Sequence, residues 1–350
     1  MNTLEQNIRQ CAGFDFSRQE IEGAVKNGRL LSMEIELSLR CNFNCLYCYV
    51  PKDADYDEEL SAEEIRHAIC QAKELGAKRI IILGGEPTIY PNLLDIIWCI
   101  REQGLEAEMF TNGTGITEDL AKRLFDENVR VVLKLNTLDD ALQDMLAGKE
   151  GASKIIKSAF YNLTHAGYPS KDAFMAASTV ICRQNVDELP VIWKWLRDQN
   201  IVPYFEMITP QGNARHNDTL NIFPLELKDL FIRLANIDCT DYGINWEPQP
   251  PLAGQRCMRH QFSCLITSKG DVMPCVGVTI PVGNIRSQAL ADIISHSAVL
   301  KDLRNYRNTI KGKCRTCEKA GNCYGCRGAA YQLTGDYLAS DPLCWENVTT

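Results

Sequence analysis

Apolar and polar residues follow a repeating order between residues 31 and 210, and this order predicts strands that alternate with helices. The stretch SMEIELSL at 32–39 alternates apolar and polar side chains with the period of a strand. The stretch RIIIL at 79–83 is continuously apolar, as is typical of a buried parallel strand. The whole pattern predicts strands at 32–39, 79–83, 106–112, 129–136, 174–182 and 202–210.

Helical periodicity occupies the segments between these strands. The segment 61–77 opens with the capping box SAEE and reaches Gly76 at its end. Further helices are predicted at 91–104, 117–128, 153–167 and 186–200, the last of them interrupted by Pro190. Regular alternation of this kind predicts an α/β fold with a parallel sheet. Six units are too few for a full eight-unit barrel, so we expect a partial (β/α)6 TIM-like barrel.

The pattern changes on both sides of this region. A capping box at 17–20 starts a short helix, and a Pro-rich stretch, EPQPPLAG, lies at 247–254 after a predicted helix at 225–237. We therefore divide the chain into an N-terminal helical preface (1–30), a core (31–215), a bridging helix with its linker (216–256) and a small cysteine-rich C-terminal domain (257–350).

Charge and hydropathy exclude several classes of partner. The formal net charge is −8 and the pI is about 5.3, which argues against a nucleic-acid partner. No apolar run reaches the length of a membrane span, and the first residues carry no signal-peptide pattern. We therefore expect a cytoplasmic protein that has no membrane partner.

Sixteen cysteines are unusual for a chain of this kind. Because a reducing compartment disfavours structural disulfides, clustered cysteines there indicate metal ligands or catalytic groups. Eight lie in the C-terminal domain, which is enough for two complete four-ligand sets: Cys257, Cys264, Cys275, Cys314, Cys317, Cys323, Cys326 and Cys344. The two C-x-x-C pairs at 314–317 and 323–326 are compatible with zinc. Their close spacing and the lack of interleaved histidines favour iron–sulfur ligation.

A second cysteine group follows the first predicted strand and has only three members. Cys41, Cys45 and Cys48 lie in the stretch SLRCNFNCLYCYV. A four-iron cluster takes four ligands, so three thiolates would leave one iron open to a small molecule. The alternative is a zinc site with a distant fourth ligand, or three unrelated thiols.

The stretch LGGEPT at 83–88 follows the second predicted strand. Its two glycines allow a backbone to approach a ligand closely. Pro87 favours an extended conformation at Glu86, which would present a carboxylate to an ammonium group. In this fold class, function collects at the carboxyl ends of the strands, where both motifs are predicted to lie.

The C-x3-C-x2-C motif with Tyr47 before its last cysteine, together with GGEP, resembles the radical S-adenosylmethionine (radical SAM) superfamily. The resemblance covers residues 33 to about 210. It implies that Cys41, Cys45 and Cys48 hold a [4Fe–4S] cluster whose open iron binds S-adenosylmethionine. It also implies cosubstrate-binding roles for Gly84, Gly85, Glu86, Tyr47, Asn112 in the FTNG stretch, Asn136 and Ser178. In this family, one electron splits the cosubstrate into a 5′-deoxyadenosyl radical, which abstracts hydrogen from a substrate carbon.

The C-terminal domain resembles the SPASM domain of the same superfamily, through SKGDVMPC (268–275) and GNIRSQALADI (283–293). This resemblance implies two auxiliary [4Fe–4S] clusters, and therefore three clusters in the chain. One would be held by Cys257, Cys264, Cys275 and Cys326, and the other by Cys314, Cys317, Cys323 and Cys344. Only two residues separate Cys323 and Cys326, fewer than is usual in relatives, which leaves the partition of the ligands open.

The resemblance implies an oxidoreductase or maturase that modifies a peptide or protein. An electron donor such as flavodoxin or ferredoxin would supply the electron. The alternative is oxidation, epimerisation or decarboxylation of a small molecule such as a sugar, an aminocyclitol or a tetrapyrrole. A rival of another class is a non-catalytic zinc or iron–sulfur binding module. Val276 replaces the aspartate of the anaerobic sulfatase maturases, which argues against that activity.

No catalytic acid or base is identified from the sequence, and the remaining polar candidates are ambiguous. Lys134 either points into the barrel or lies at a solvated strand end, and the second is favoured because lysine is rarely buried without a partner. Glu206 on the sixth predicted strand has the same two interpretations. His260 is either a surface residue or a base.

Overall fold

The computed structural model describes residues 16–51 and 53–347. The first half of the predicted N-terminal preface lies outside these residues. Its second half forms helix α1 (Arg18–Lys26), whose N-terminus is closed by the predicted capping box between Ser17 and Glu20.

A nine-stranded sheet organises the described part of the chain. Six strands come from the predicted core: β1 (Ser32–Glu36), β2 (Arg79–Leu83), β3 (Glu106–Thr111), β4 (Arg130–Lys134), β5 (Met175–Ile181) and β6 (Val202–Met207). They are parallel and lie in the order β6-β5-β4-β3-β2-β1. The predicted α/β fold with a parallel-stranded partial barrel is confirmed.

The cysteine-rich segment extends this sheet. Three short strands follow, namely β7 (Leu265–Ile266), β8 (Asp271–Met273) and β9 (Gly283–Asn284). Strand β7 pairs in parallel with β1, whereas β8 and β9 continue the sheet as antiparallel strands. The first strand of the C-terminal domain is therefore built onto the core, which the sequence pattern does not predict.

Helices pack outside the core strands. They are α2 (Ala62–Glu74), α3 (Leu93–Glu102), α4 (Glu118–Asp126), α5 (Asp140–Ala147), α6 (Ala152–Ala166), α7 (Leu189–Asp198) and α8 (Pro224–Tyr242). Helix α5 was not predicted. Pro190 does not interrupt α7, because it lies in the first turn, where a missing N–H costs no helical hydrogen bond. Helix α8 continues five residues beyond the predicted end.

The C-terminal part contains shorter helices: α9 (Arg259–Phe262), α10 (Leu290–His296), α11 (Ala298–Arg304), α12 (Tyr306–Thr309), α13 (Gly312–Thr316) and α14 (Arg327–Thr334). Helix α10 packs on α2, and α11 packs on α9. The C-terminal domain thus contacts the core along more than one element.

Alternation along β1 decides which side chains face the helices and which face the inside of the barrel. Met33 and Ile35 belong to the main hydrophobic core, with no exposed surface. Ser32 and Glu34 point the other way and line the internal cavity. The predicted amphipathic strand is therefore buried on both faces, with a polar face inside the barrel.

A buried acid fixes the bridging helix α8 against α7. Asp238 accepts hydrogen bonds from Arg197 Nε at 2.9 Å and Nη2 at 2.8 Å. The indole N–H groups of Trp193 (2.7 Å) and Trp246 (2.9 Å) donate to the same carboxylate. Asp238 has no exposed surface, so these four donors provide its solvation.

The Pro-rich stretch at 247–254 runs along the free edge of β6. The backbone N–H of Met207 donates to the carbonyl of Pro251, and the N–H of Ala253 donates to the carbonyl of Phe205, both at 3.0 Å. Glu206 and Leu252 form an antiparallel bridge between them. Among the described residues, no helix is both long and apolar enough to cross a membrane.

Candidate functional site

An internal cavity of about 290 Å³ lies inside the barrel. Its lining includes most of the residues that the sequence picked out in the core, and one cysteine of the C-terminal domain. These are Cys41, Cys45, Tyr47, Cys48, Gly84, Gly85, Glu86, Asn112, Ser178 and Cys257. The two motifs and the C-terminal domain therefore face one common space.

The loop that carries the cysteine triad rests on helix α5. The backbone N–H groups of Asn44 and Leu46 donate to the carbonyls of Ala147 and Leu146, at 3.1 and 3.0 Å. At Gly148, which follows α5, an added Cβ would lie 2.1 Å from the carbonyl oxygen of Asn44. The helix that sequence reasoning missed is thus the support of the triad.

Two asparagines hold the other side of this loop. Asn213 donates through its amide to the carbonyl of Cys45 at 3.0 Å, and Asn217 donates to the carbonyl of Leu46 at 2.9 Å. Both lie in the stretch after β6 that reads as loop in the sequence. Asparagine is common in loops for local reasons, so no sequence signal marks these two as supports of the triad.

Cys41 is exposed and Cys45 and Cys48 are half-buried, yet the surrounding protein desolvates all three thiol groups. Burial raises the pKa of Cys41 to about 11 and that of Cys48 to about 12. The backbone N–H of Phe43 (3.4 Å) and the amide of Asn112 (3.8 Å) donate to Cys41 Sγ. The ammonium of Lys134 opposes the effect of burial at Cys45 and Cys48. A metal that binds here must displace the thiol protons.

The two glycines of LGGEPT allow the backbone after β2 to approach the triad loop closely. The N–H of Gly85 donates to the carbonyl of Ser38 at 2.7 Å, and the N–H of Glu86 donates to that of Arg40 at 2.9 Å. An added Cβ at Gly85 would lie 2.0 Å from the carbonyl oxygen of Arg40. Gly84 has a φ of +140°, which L residues rarely adopt. No larger residue fits at Gly85 without moving the triad loop.

The carboxylate of Glu86 is held by four donors from the protein. Oε1 accepts from the N–H of Thr88 (2.9 Å) and from the hydroxyls of Thr88 (2.5 Å) and Thr111 (2.6 Å). Among the described residues, the backbone N–H of Asn112 alone donates to Oε2, at 2.6 Å. Glu86 is 3 % exposed and has the extended backbone expected before proline. One lone pair of Oε2 is left for a ligand.

Tyr47 and Lys134 form the opposite wall of the cavity. The Asn136 amide donates to the Tyr47 hydroxyl at 2.6 Å, and Asn136 itself has no exposed surface. Asn136 therefore lies behind Tyr47 and does not line the cavity. Lys134 Nζ lies 3.2 Å from Ser178 Oγ and 4.8 Å from the centroid of the Tyr47 ring.

The favoured interpretation of Lys134 as a solvated strand end is wrong. It lines the cavity, and burial lowers the pKa of its ammonium. Glu206 lines the same cavity, where burial raises its pKa and the charge of Lys134 opposes that rise. The ammonium of Lys134 is compensated by the Ser178 hydroxyl, the face of the Tyr47 ring and the charge of Glu206 across the cavity. None of these residues is adjacent to Lys134 in the sequence.

Arg259 joins the C-terminal domain to the inside of the barrel. Its Nη1 lies 2.7 Å from Glu34 Oε1 on β1, and its Nη2 donates to the Tyr204 hydroxyl on β6 at 3.0 Å. Sequence reasoning named neither Arg259 nor Glu34. His260, the next residue, is 2 % exposed, so its interpretation as a surface residue is wrong. Burial, with the charges of Arg259 and Arg327, lowers the pKa of His260 to about 3, and the ring is neutral at pH 7.

The eight C-terminal cysteines lie in two separate regions of the C-terminal part. Cys314, Cys317, Cys323 and Cys344 line a second, smaller cavity. Burial raises the thiol pKa of Cys275 and of Cys326, and Cys257 lies close enough to both to add to the rise through its charge. Cys264 is buried as well, near Arg304.

The donors around these thiols fit iron–sulfur ligation. Backbone N–H groups donate to Cys275 Sγ (from Val278, 3.4 Å), Cys323 Sγ (from Gly325, 3.3 Å), Cys326 Sγ (from Ala329, 3.3 Å) and Cys314 Sγ (from Asp341, 3.4 Å). Such bonds stabilise the thiolates of iron–sulfur clusters. Within residues 16–51 and 53–347, no group of three or more His, Cys, Asp and Glu side chains is arranged around a single ion.

Comparison with known families agrees with these features. The radical SAM superfamily matches residues 35–196, and the SPASM iron–sulfur cluster-binding domain matches residues 257–318. A PqqA peptide cyclase of Streptomyces rochei is 30 % identical over 351 residues, which cover 91 % of this chain and 90 % of the relative. The chain belongs to the radical SAM superfamily. The family binds S-adenosylmethionine and iron–sulfur clusters, and its members are enzymes.

Other relatives of this radical SAM enzyme differ in what they act on. An AdoMet-dependent heme synthase of Methanosarcina barkeri is 26 % identical over 335 residues, covering 88 % of this chain and 94 % of that protein. Among solved structures, SuiB of Streptococcus suis bound to its precursor peptide SuiA superimposes with a TM-score of 0.70 at 18 % identity. That match covers 93 % of this chain and 79 % of SuiB, and it shows a shared fold.

Proposed function

We propose that this radical SAM enzyme abstracts a hydrogen atom from a carbon of a peptide or protein substrate. The observation that carries the proposal is the common cavity, which is lined by the cysteine triad, by Glu86 and by Cys257 of the C-terminal domain. Cys41, Cys45 and Cys48 would hold a [4Fe–4S] cluster, which when bound would supply the electron that splits S-adenosylmethionine into the hydrogen-abstracting radical. The peptide cyclase relative supports a peptide substrate.

The core residues would divide the work of binding the cosubstrate. Cys41, Cys45 and Cys48 would hold the cluster. The free lone pair of Glu86 Oε2, with the Gly84–Gly85 backbone, would accept hydrogen bonds from the amino group of the cosubstrate. Tyr47 and Ser178 would contact the rest of the cosubstrate. Asn112 would orient Cys41 and Glu86, to which it already donates, and Asn136 would position Tyr47.

The C-terminal cysteines would hold two further [4Fe–4S] clusters, which makes three in the chain. One set is Cys257, Cys264, Cys275 and Cys326, and the other is Cys314, Cys317, Cys323 and Cys344. Because Cys257 lines the main cavity, the first set would lie beside the substrate. We assign residues 31–215 to radical chemistry and 257–350 to electron transfer, with 216–256 as the connection between them. A flavodoxin or ferredoxin would be the external electron donor.

A small-molecule substrate is the second candidate. The heme synthase relative matches 88 % of this chain, which favours oxidation or decarboxylation of a tetrapyrrole over other small molecules. The basic residues Lys134, Arg256 and Arg259 on the cavity wall would suit the carboxylates of such a molecule.

The decisive experiment measures 5′-deoxyadenosine after anaerobic incubation with S-adenosylmethionine and dithionite. We expect product from the wild type and none from the Cys41/Cys45/Cys48→Ala variant. Iron analysis should give about twelve irons per wild-type chain and about eight in the variant, from three and two four-iron clusters. A wild type with full iron that releases no 5′-deoxyadenosine would contradict the proposal. Competing candidate peptides and tetrapyrroles in the same assay would separate the two substrate classes.

A further inference from the structure

Several side chains of the described C-terminal part carry buried polar atoms that have no partner, and four of these side chains are His260, Arg304, Tyr324 and Arg327. Within residues 16–51 and 53–347, Arg304 Nε and Nη2 and Arg327 Nε and Nη2 have no hydrogen-bond acceptor. The ring nitrogens of His260 and the hydroxyl of Tyr324 are equally buried and unpaired. A buried donor without an acceptor destabilises the folded protein, and more so when it is charged. Four such groups in one region indicate that an acceptor belongs between them.

These donors surround one of the two cysteine sets. Arg304 ends α11, which packs on α9, and its charge opposes the rise to about 12 that burial causes in the pKa of Cys264. Arg327 follows Cys326 at the start of α14. Within the described part of the chain, its Nη1 donates to backbone carbonyls, for example that of Tyr337 at 3.2 Å, whereas its Nε and Nη2 have no acceptor.

His260 and Tyr324 are the other two members of this group of unpaired side chains. Their ring centroids lie 5.5 Å apart, and Tyr324 is close enough to Cys257 and Cys275 to feel their charge, although burial dominates the rise in its pKa. The unpaired donors therefore converge on the set Cys257, Cys264, Cys275 and Cys326.

The other cysteine set has a different surrounding. Its sulfurs accept from backbone N–H groups and from the Asn347 amide, which lies 3.7 Å from Cys314 Sγ. The carboxylate of Asp341 adds to the pKa rise that burial causes at Cys323 and Cys344, and it does the same at Cys326 of the first set. Lys319 lines the smaller cavity, but its ammonium is paired with Glu247 at 3.3 Å. Among the described residues that line this cavity, none has an unpaired buried donor, so the unpaired cationic donors lie beside the first set.

We propose that Arg304 and Arg327 aim their free N–H groups at an iron–sulfur cluster on Cys257, Cys264, Cys275 and Cys326, and that their charges raise its reduction potential. The inference rests on the proposed function, which puts a cluster on these cysteines. On reduction, the cluster gains one electron from an external reductant and one negative charge. Cations and N–H···S bonds beside it stabilise this reduced form.

The position of the cysteine set that includes Cys257 suggests what a raised reduction potential would do for the reaction. Cys257 lines the main cavity, so the cluster with the cationic surrounding is the one beside the substrate. A raised potential makes that cluster the better acceptor for an electron that leaves the substrate. Arg304 and Arg327 are positioning residues in this scheme, because they act on the cluster and not on the substrate.

The test is a redox titration of the holoenzyme with dithionite and mediators, followed by electron paramagnetic resonance. We expect one midpoint potential to fall in Arg304→Met, while the others stay at their wild-type values. Arg304→Lys keeps the charge and should lower the same midpoint by less. The matched control is Arg307→Met, since Arg307 is exposed, lies three residues away and donates to the carbonyl of Gly321 at 2.8 Å. We expect no midpoint to move in this control.

Iron content is measured first, so that two kinds of failure remain distinct. A wild type without the expected clusters contradicts the proposed function. A wild type with its clusters, and no midpoint that falls in Arg304→Met, overturns the role of Arg304, as does an equal fall in Arg307→Met. If Arg304→Met does not retain its iron, Arg304→Gln replaces it. This variant keeps a donor and removes the charge, and an unchanged midpoint there overturns the inference.

Discussion

The backbone N–H of Asn112 donates to Glu86 Oε2 across 2.6 Å, and this bond ties the loop after β3 to the loop after β2. Asn112 also reaches Cys41 Sγ through its side chain, at 3.8 Å. The cysteine motif and the GGEP motif are therefore one connected structure, in which Glu86 has an organising role in addition to the ligand-binding role proposed for it.

Replacing Glu86 by Gln should destabilise this connection. The amide NH₂ would meet N–H and O–H donors that now point at a carboxylate, and leaving one of them unpaired in the interior costs about 1–3 kcal/mol. We expect a lower Tm and weaker binding of S-adenosylmethionine by Glu86→Gln. Glu102→Gln, at an exposed position of α3, is the control and should keep the wild-type Tm. Equal Tm values for the two variants would contradict the structural role of Glu86.

Gly85→Ala should disrupt the triad loop without affecting the C-terminal cysteines. The new Cβ would lie 2.0 Å from the carbonyl oxygen of Arg40, so either the GGEP loop or the triad loop must move. We expect the purified variant to contain about four irons fewer than the wild type. Gly23→Ala is the matched control, because an added Cβ there meets no atom within 4 Å. Wild-type iron content in Gly85→Ala would show that the contact is not needed.

Asp238→Asn should cost far more stability than a surface change of the same kind. It leaves the buried Arg197 without its counter-ion, and breaking such a pair typically costs about 3–5 kcal/mol. Asp241→Asn removes an exposed partner of Lys194, and solvent screening leaves such a surface pair with little effect on stability. Urea unfolding of both variants measures the difference. A similar loss in both would mean that Asp238 is not the centre of the contact between α7 and α8.

Glu36 should make the protein less stable as the pH rises. Burial raises its pKa to about 7, against hydrogen bonds from Tyr49 and Ser268 that favour the charged form. The folded state therefore holds a proton that the unfolded state releases above pH 4.5. The stabilisation, about 3 kcal/mol for a shift of this size, is present below pH 4.5 and is lost as the pH rises through 7.

Glu36→Gln removes this titration. Measured between pH 5 and 8, the wild-type Tm should fall with rising pH by more than the Tm of Glu36→Gln. The exposed variant Glu102→Gln should follow the wild type. Parallel curves for wild type and Glu36→Gln would indicate that Glu36 is ionised in the folded protein throughout this range.

Much of the core fold could be predicted because its strands are apolar runs of limited length between capped helices. The run RIIIL at 79–83 matches β2 residue for residue. Helix α5 was missed since it has only eight residues and its stability comes from tertiary contact with the triad loop. The pairing of β7 with β1 was also missed, because two residues carry no periodic signal.

In the site, too, the residues that follow local sequence patterns were predicted, and those that depend on tertiary contacts were not. Cysteine spacing and a Gly-Gly turn are local patterns, so the sequence brought Cys41, Cys45, Cys48 and Glu86 forward. The environment of Lys134 depends on Ser178 and Tyr47, which are far from it in the chain. The side chains of Arg259 and Arg304 interact with residues far away in the sequence. Because an arginine is usually a surface residue, the sequence alone did not single out these two.

The Pro-rich stretch at 247–254 has a consequence for how the molecule behaves when damaged. Residues 251–253 pair with the free edge of β6 in the position that a tenth strand would take. They therefore cover backbone N–H and C=O groups of β6 that could otherwise pair with another chain. A protease cut within this stretch would uncover these groups. Nicked molecules should then self-associate through β6, even though no cysteine lies within the stretch that is cut.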